Sequence, residues 1–99
     1  MAYLLTQFTV ADFDEWQAYF DRNDTFRTEQ GQRSYRTFRS LDDSTEVVVL
    51  LEFDDPDAIR AFTGSEEWHE RMAEAGVRGV PEISILEAVA EKPRQSTAA

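Results

Sequence analysis

Cysteine is absent, and histidine and lysine occur once each, as His69 and Lys92. Without thiols the chain forms no disulfide, no iron–sulfur cluster and no thiolate zinc site. One imidazole excludes a histidine-rich metal centre within a single chain. No apolar run approaches the roughly 20 residues of a membrane span, and no charged start leads into an apolar segment. A cytoplasmic protein without a membrane partner is therefore expected. Positive charge is also scarce: nine arginines and one lysine face 20 acidic residues, for a net charge of −10. Nucleic acids and anionic membranes attract basic faces, so neither is an expected partner. An acidic, lysine-poor surface fits adaptation to salt, which a melting temperature measured in rising KCl would test. There is no internal repeat and no low-complexity segment.

Among what is present, the stretch from Glu46 to Phe53 organises the rest. It reads Glu-Val-Val-Val-Leu-Leu-Glu-Phe, rich in β-branched residues and free of glycine and proline, and so predicts a strand. Val47 to Leu51 are all apolar and point alternately to both faces of a sheet, so both faces are expected to be buried. A chain of 99 residues can cover one face with its own helices. A second copy of the chain is the expected cover for the other. Which parity faces the partner stays open.

Tyr3 to Val10 predicts the first strand, with Leu4, Phe8 and Val10 on one face and Tyr3, Leu5, Gln7 and Thr9 on the other. Gln7 in mid-strand reads as an exposed or barrel-rim side chain, or as a ligand contact. Asp12 caps the first helix, with Glu15 in capping-box spacing. The helix is expected to run to about Gln30 and to stop at Gly31. At 100° per residue, Phe13, Trp16, Tyr19, Phe20, Asn23, Phe26 and Arg27 share one broad face. Two polar groups, Asn23 and Arg27, thus sit in an aromatic stripe. Asn23 reads either as an amide bonded to backbone or as a pocket wall. An unpaired buried amide costs about 1–3 kcal/mol, so it needs a partner.

Ser34 to Ser40 predicts the second strand, with Tyr35, Thr37 and Arg39 alternating with Arg36 and Phe38. A polar turn at Leu41 to Thr45 joins it to the central strand as an antiparallel hairpin. Asp54-Asp55-Pro56 opens the second helical segment. The three acids Asp54, Asp55 and Asp57 read as a helix start rather than a cation site, and no metal is expected. Thr63-Gly64-Ser65 interrupts the segment, and a new helix is expected from Ser65 to about Ala75, with Trp68, Met72 and Ala75 inward. An unbroken helix would turn His69 inward. The favoured restart sets it about 100° from Trp68, near the rim. Val77 to Pro81 is expected to be a loop and Glu82 to Val89 the fourth strand. One domain spans residues 1–90, and residues 91–99 read as a disordered tail.

The order β-α-β-β-α-β is the split βαβ arrangement of the ferredoxin-like α+β fold, with a four-stranded antiparallel sheet. Its bare face would expose a patch of several hundred Å² in a monomer, which a sheet-on-sheet homodimer removes. Several segments carry a family likeness. They are Val10-Ala11-Asp12-Phe13-Asp14-Glu15-Trp16 with Phe20, the Asp42-Asp43 hairpin before Val47 to Leu51, and Ala61-Phe62 with Ser65. Met72-Ala73-Glu74-Ala75-Gly76-Val77 through Gly79 and Pro81 completes them. Together they cover Tyr3 to about Val89, and the chain resembles the dimeric α+β-barrel superfamily, in particular its antibiotic-biosynthesis-monooxygenase-like members.

That resemblance implies a pocket between sheet and helices that holds a small aromatic or polycyclic phenol, whose deprotonated form attacks oxygen without a cofactor. It nominates Asn23, Tyr35 and Trp16 as catalytic residues. Phe20, Arg27, Trp68, His69 and Gln7 would line the substrate pocket. Haem-degrading relatives use a first-strand Asn, a third-strand Trp and a helical His. This chain has Gln7, no third-strand Trp and only His69, so haem oxygenation is not expected. The alternative is a non-catalytic dimeric domain that binds a ligand or serves structure. A large closed cavity reached by Asn23 and Tyr35 would favour catalysis, and a filled core would favour the alternative.

Overall fold

The computed structural model describes residues 1–92. The elements run β1 (Ala2–Val10), α1 (Phe13–Arg22), α2 (Asp24–Glu29), β2 (Gln32–Arg39), β3 (Glu46–Phe53), α3 (Pro56–Thr63), α4 (Glu66–Glu74) and β4 (Val77–Glu87). The sheet order is β2-β3-β1-β4, with every neighbouring pair antiparallel. This is the ferredoxin-like α+β topology. From residue 93 onward, the expected disordered tail lies outside the described residues. Among them, no helix is long and apolar enough to cross a membrane.

Three side chains start helices as their sequence positions predict. Asp12 Oδ1 accepts from the Glu15 amide at 2.9 Å, Asp55 Oδ1 from the Ala58 amide at 2.9 Å, and Ser65 Oγ from the Trp68 amide at 3.2 Å. Each satisfies an amide that has no partner within its own helix. The restart at Ser65 is thus real, and α3 and α4 meet at Gly64. Gly31 and Gly76, at φ +111° and +85°, close the first and second helical segments as left-handed residues.

Two elements depart from expectation. The first helix does not run unbroken to Gln30 but divides at Asn23, whose φ of −97° and ψ of 11° leave the helical region. The Asn23 side chain explains the break. Its Nδ2 donates to the Tyr19 carbonyl at 2.7 Å, so it competes with the helix ladder for backbone. The Phe20 carbonyl in turn accepts from the Arg27 guanidinium at 2.8 Å.

The second departure is β4, which starts at Val77 where a loop was expected. Arg78 pairs with Thr9 and Glu82 with Gln7, so four steps of β4 oppose two of β1. Gly79, at φ +72°, supplies the backbone conformation of this irregularity. Pro81 is tolerated because β4 is an edge strand.

Burial settles the parity of β3. Val47, Val49, Leu51 and Phe53 are buried, whereas Glu46, Val48, Leu50 and Glu52 are half-buried. The odd-numbered set meets the helices in a core with Leu4, Val10, Ile59 and Phe62. The even-numbered set faces away, and cross-strand pairing places Leu5, Tyr3, Phe38 and Leu86 beside it. Within one chain this second face is not covered: Phe38 is 45% and Leu86 44% exposed.

Candidate functional site

A cavity of about 70 Å³ lies between the helices and the sheet. Its floor is Leu4, Thr6, Phe8, Val49 and Leu51 of β1 and β3. Trp16, Tyr19, Phe20, Asn23, Phe26 and Arg27 form one wall. Phe62, Trp68, Arg71, Met72 and Ala75 form the other. Since roughly 10–15 Å³ holds one water and a cavity of about 150 Å³ holds benzene, the space suits a few waters, and a single ring enters only with a small shift of the walls or with part of it in the open mouth. A polycyclic ligand needs side chains to move.

The aromatic wall follows from helical spacing. Trp16 and Phe20 are one turn apart and stack with ring centroids 5.1 Å apart, while Phe8 reaches Trp16 from the sheet at 5.7 Å. Trp68 packs on Phe62 at 6.0 Å. Aromatic pairs at these separations add to the gain from area burial and fix the rings in place.

The polar part of the site is a chain of bonds between the helices. Asn23 Oδ1 accepts from Arg71 Nη1, and Arg71 Nη2 donates to Glu67 Oε1 at 2.8 Å. The Tyr19 hydroxyl donates to Glu74 Oε2 at 2.6 Å. Burial, the bond to Glu74 and the charge of Glu74 hold the Tyr19 phenol above its usual range. Asn23 is therefore both the backbone-bonded amide and a cavity wall.

Arg27, only 5% exposed, donates from Nε to Gln32 Oε1 at 2.8 Å, and Gln32 Nε2 donates to Asp24 Oδ1 at 3.0 Å. Its guanidinium carbon lies 3.5 Å from the Phe20 ring centroid, and that of Arg71 lies 3.9 Å from the Phe26 centroid. Guanidinium is weakly hydrated and stacks on rings, so an arginine tolerates such a site better than a lysine. Burial lowers the Arg27 pKa, partly offset by the charge of Asp24.

Of the sequence-nominated residues, Asn23, Trp16, Phe20, Arg27 and Trp68 converge on the cavity. Three do not. Tyr35 has the right parity but sits outside, 40% exposed, edge-on to Phe20 at 5.0 Å. Gln7 points to the opposite face of the sheet and donates to Glu46 Oε1 at 2.5 Å. His69 is exposed and packs edge-on against Trp68 at 4.9 Å, as the helix restart requires.

Arg71 is the participant that was not nominated. Its signal was the spacing Trp68, Arg71, Met72, Ala75, the i, i+3, i+4, i+7 of one helix face. Among the described residues, no group of three or more His, Asp or Glu is placed to hold a metal ion. Asp55 serves as a cap and Asp54 pairs with Arg33.

The sequence matches the antibiotic biosynthesis monooxygenase family over residues 1–74. The chain belongs to that family. No curated protein matches it in sequence. Among solved structures, it is similar to SnoaB, a cofactor-independent oxygenase from Streptomyces nogalater. The TM-score is 0.76 at 21% identity, covering 94% of this chain and 97% of that one. Rv0793 from Mycobacterium tuberculosis gives 0.66 at 21% identity, covering 93% and 98%. A conserved protein from Methanosarcina mazei gives 0.59 at 15% identity, covering 86% and 89%. At these identities the likeness establishes the fold.

Proposed function

We propose that this family member is a homodimeric oxygenase that acts without a cofactor on a small aromatic substrate bearing an acidic hydroxyl. The supporting observation is the cavity itself, walled by Trp16, Phe20, Phe62 and Trp68 and reached by the Asn23–Arg71 pair. Cofactor-free oxygenation asks the protein to hold an electron-rich ring, to favour its deprotonated form and to exclude water. The substrate supplies the electrons: the ring C–H para to the ionised hydroxyl becomes a carbonyl, so that the phenol becomes a quinone, one atom of dioxygen is retained and the other leaves as water. The aromatic walls orient the ring, and the polar pair faces the developing negative charge. Membership of a monooxygenase family and the resemblance to SnoaB in fold agree with this assignment.

The second reading is a non-catalytic ligand-binding dimer. The modest cavity volume and the position of Tyr35 outside it favour this reading. Oxygen uptake with a panel of single-ring phenols, naphthols and anthrols, on wild type and Asn23→Ala, separates the two. Uptake that tracks the protein and falls with the variant is expected for the oxygenase. No uptake across the panel favours the binding dimer. The dimer itself rests on the apolar face formed by Leu5, Val48, Leu50 and Leu86. Light scattering at micromolar concentration is expected to give twice the monomer mass, and a monomer would refute the assembly.

A further inference from the structure

The chain carries twice as many acids as bases, yet the cavity is lined by two arginines and, among the described residues, by no carboxylate. Acidic groups stand behind the arginines rather than in the cavity wall. Asp24 lies 3.5 Å from Arg27 Nη2, and Glu67 holds the outer nitrogen of Arg71. Glu74 is engaged by Tyr19. Each guanidinium rests its face on a ring, Phe20 or Phe26, which leaves the N–H edges for bonding. Among the described residues, two of those donors, Arg27 Nη2 and Arg71 Nε, are buried and find no hydrogen-bond acceptor. A buried cationic donor without an acceptor costs free energy that an anionic oxygen recovers.

We propose that the ligand of this cavity is a single-ring aromatic anion whose ionised oxygen is held by Arg71, with Arg27 adding its charge from below. The inference rests on the cavity being the ligand site of the function proposed above, and it narrows that site in two respects. The ring is single, because a space of about 70 Å³ takes one ring only after a small shift of its walls and a polycycle only after a much larger one. The ligand is charged, because positive charge in a low-dielectric wall of an acidic protein selects for anions. Aryl carboxylates and phenolates share this chemistry.

Calorimetry with benzoate and benzamide tests the charge at constant shape, and spectrophotometric titration of 4-nitrophenol tests the phenolate. Benzoate is expected to bind about tenfold or more tightly than benzamide, since hydrogen bonds to charged groups exceed neutral ones by roughly that factor. Bound 4-nitrophenol is expected to ionise at lower pH than the free phenol. In Arg71→Gln the preference for benzoate over benzamide is expected to collapse towards unity, and Arg71→Lys is expected to restore part of it. Arg71 is half-buried, and a circular dichroism spectrum and melting curve like those of the wild type are the check that the variant is folded.

Equal affinity for benzoate and benzamide would overturn the proposal, as would a preference untouched by Arg71→Gln. Failure of all three probes to bind would also overturn it. Binding and oxygen consumption report separately. A protein that prefers benzoate but consumes no oxygen keeps this ligand class and loses the oxygenase. One that oxidises naphthols but shows no preference for anions does the reverse.

Discussion

The two faces of β3 are built from the same kinds of residue and meet opposite fates. Val47, Val49, Leu51 and Phe53 are at most 4% exposed beneath the helices, whereas Val48 and Leu50, their immediate neighbours, are only half-buried. Hydrophobicity alone does not separate them. What differs is whether the chain supplies a cover, and its helical segments pack on one face alone. The helix-covered face contributes to folding within one chain, whereas the bare face has apolar area that only an association could bury further.

An acidic substitution on each face tests that division most severely. Val49→Asp places a charge in the core without a partner, at a cost expected to reach about 4–5 kcal/mol or more. That is comparable to the whole stability of a small domain, so loss of the folded circular dichroism signal is expected at any concentration. Leu50→Asp places the same charge one residue away on the bare face. It is expected to leave a folded chain that sediments as a monomer. A Leu50→Asp protein that stays dimeric would remove this face from the interface, and a folded Val49→Asp protein would undo the assignment of parity.

Smaller truncations sharpen the same contrast. Ile59 is fully buried against the sheet, and Ile59→Ala is expected to cost about 2–5 kcal/mol, independent of protein concentration once the dimer is saturated. Leu5 lies on the bare face opposite Leu50. Leu5→Ala is expected to lower the melting temperature mainly at low protein concentration, where association is lost first. Melting curves across a hundredfold range of concentration would show it, and a Leu5→Ala penalty that does not vary with concentration would argue against a dimer through this face.

That β3 carries apolar residues on both faces was legible in the unbroken run from Val47 to Leu51, but which parity meets the helices was not, because an unbroken run carries no alternation to mark it. Also legible were the cap at Asp12, the helix start at Asp54-Asp55-Pro56 and the restart at Ser65 or Thr63, of which the structure uses Ser65. The break at Asn23 was not legible. It depends on the Asn23 amide side chain and the Arg27 guanidinium joining the Asn23 backbone amide on the Tyr19 and Phe20 carbonyls, and neither event has a signature in periodicity. The start of β4 was hidden because Gly79 and Pro81 punctuate a sequence like loop residues, yet an edge strand absorbs both through a bulge. The site was half legible. Helical spacing brought Trp16, Phe20, Asn23 and Arg27 to the cavity, but parity could not say that Tyr35 lies beyond its end. Arg71 escaped notice because a cation in an apolar stripe is ordinarily read as a solvated residue.

The weakest expected effect lies at the margin of the helix-covered face, where the register of β2 shifts between Gln32 and Ser34. There Arg33 donates from Nε and Nη2 to Asp54 Oδ2 at 3.0 and 2.5 Å. These bonds hold the Asp54 carboxyl below its ordinary 3.8. A carboxylate whose folded pKa is depressed stabilises the protein above its unfolded pKa, and that contribution disappears as pH falls through the folded value. Both side chains are more than half exposed, so solvent and salt screen the pair and its contribution is small. Arg33→Met is therefore expected to lower the melting temperature slightly at neutral pH, with the difference from wild type closing in acid as pH falls through the depressed Asp54 value. Molar salt is expected to close it at every pH. A difference that persisted unchanged into acid would mean that Arg33 acts through packing of its stem along the strand rather than through its charge.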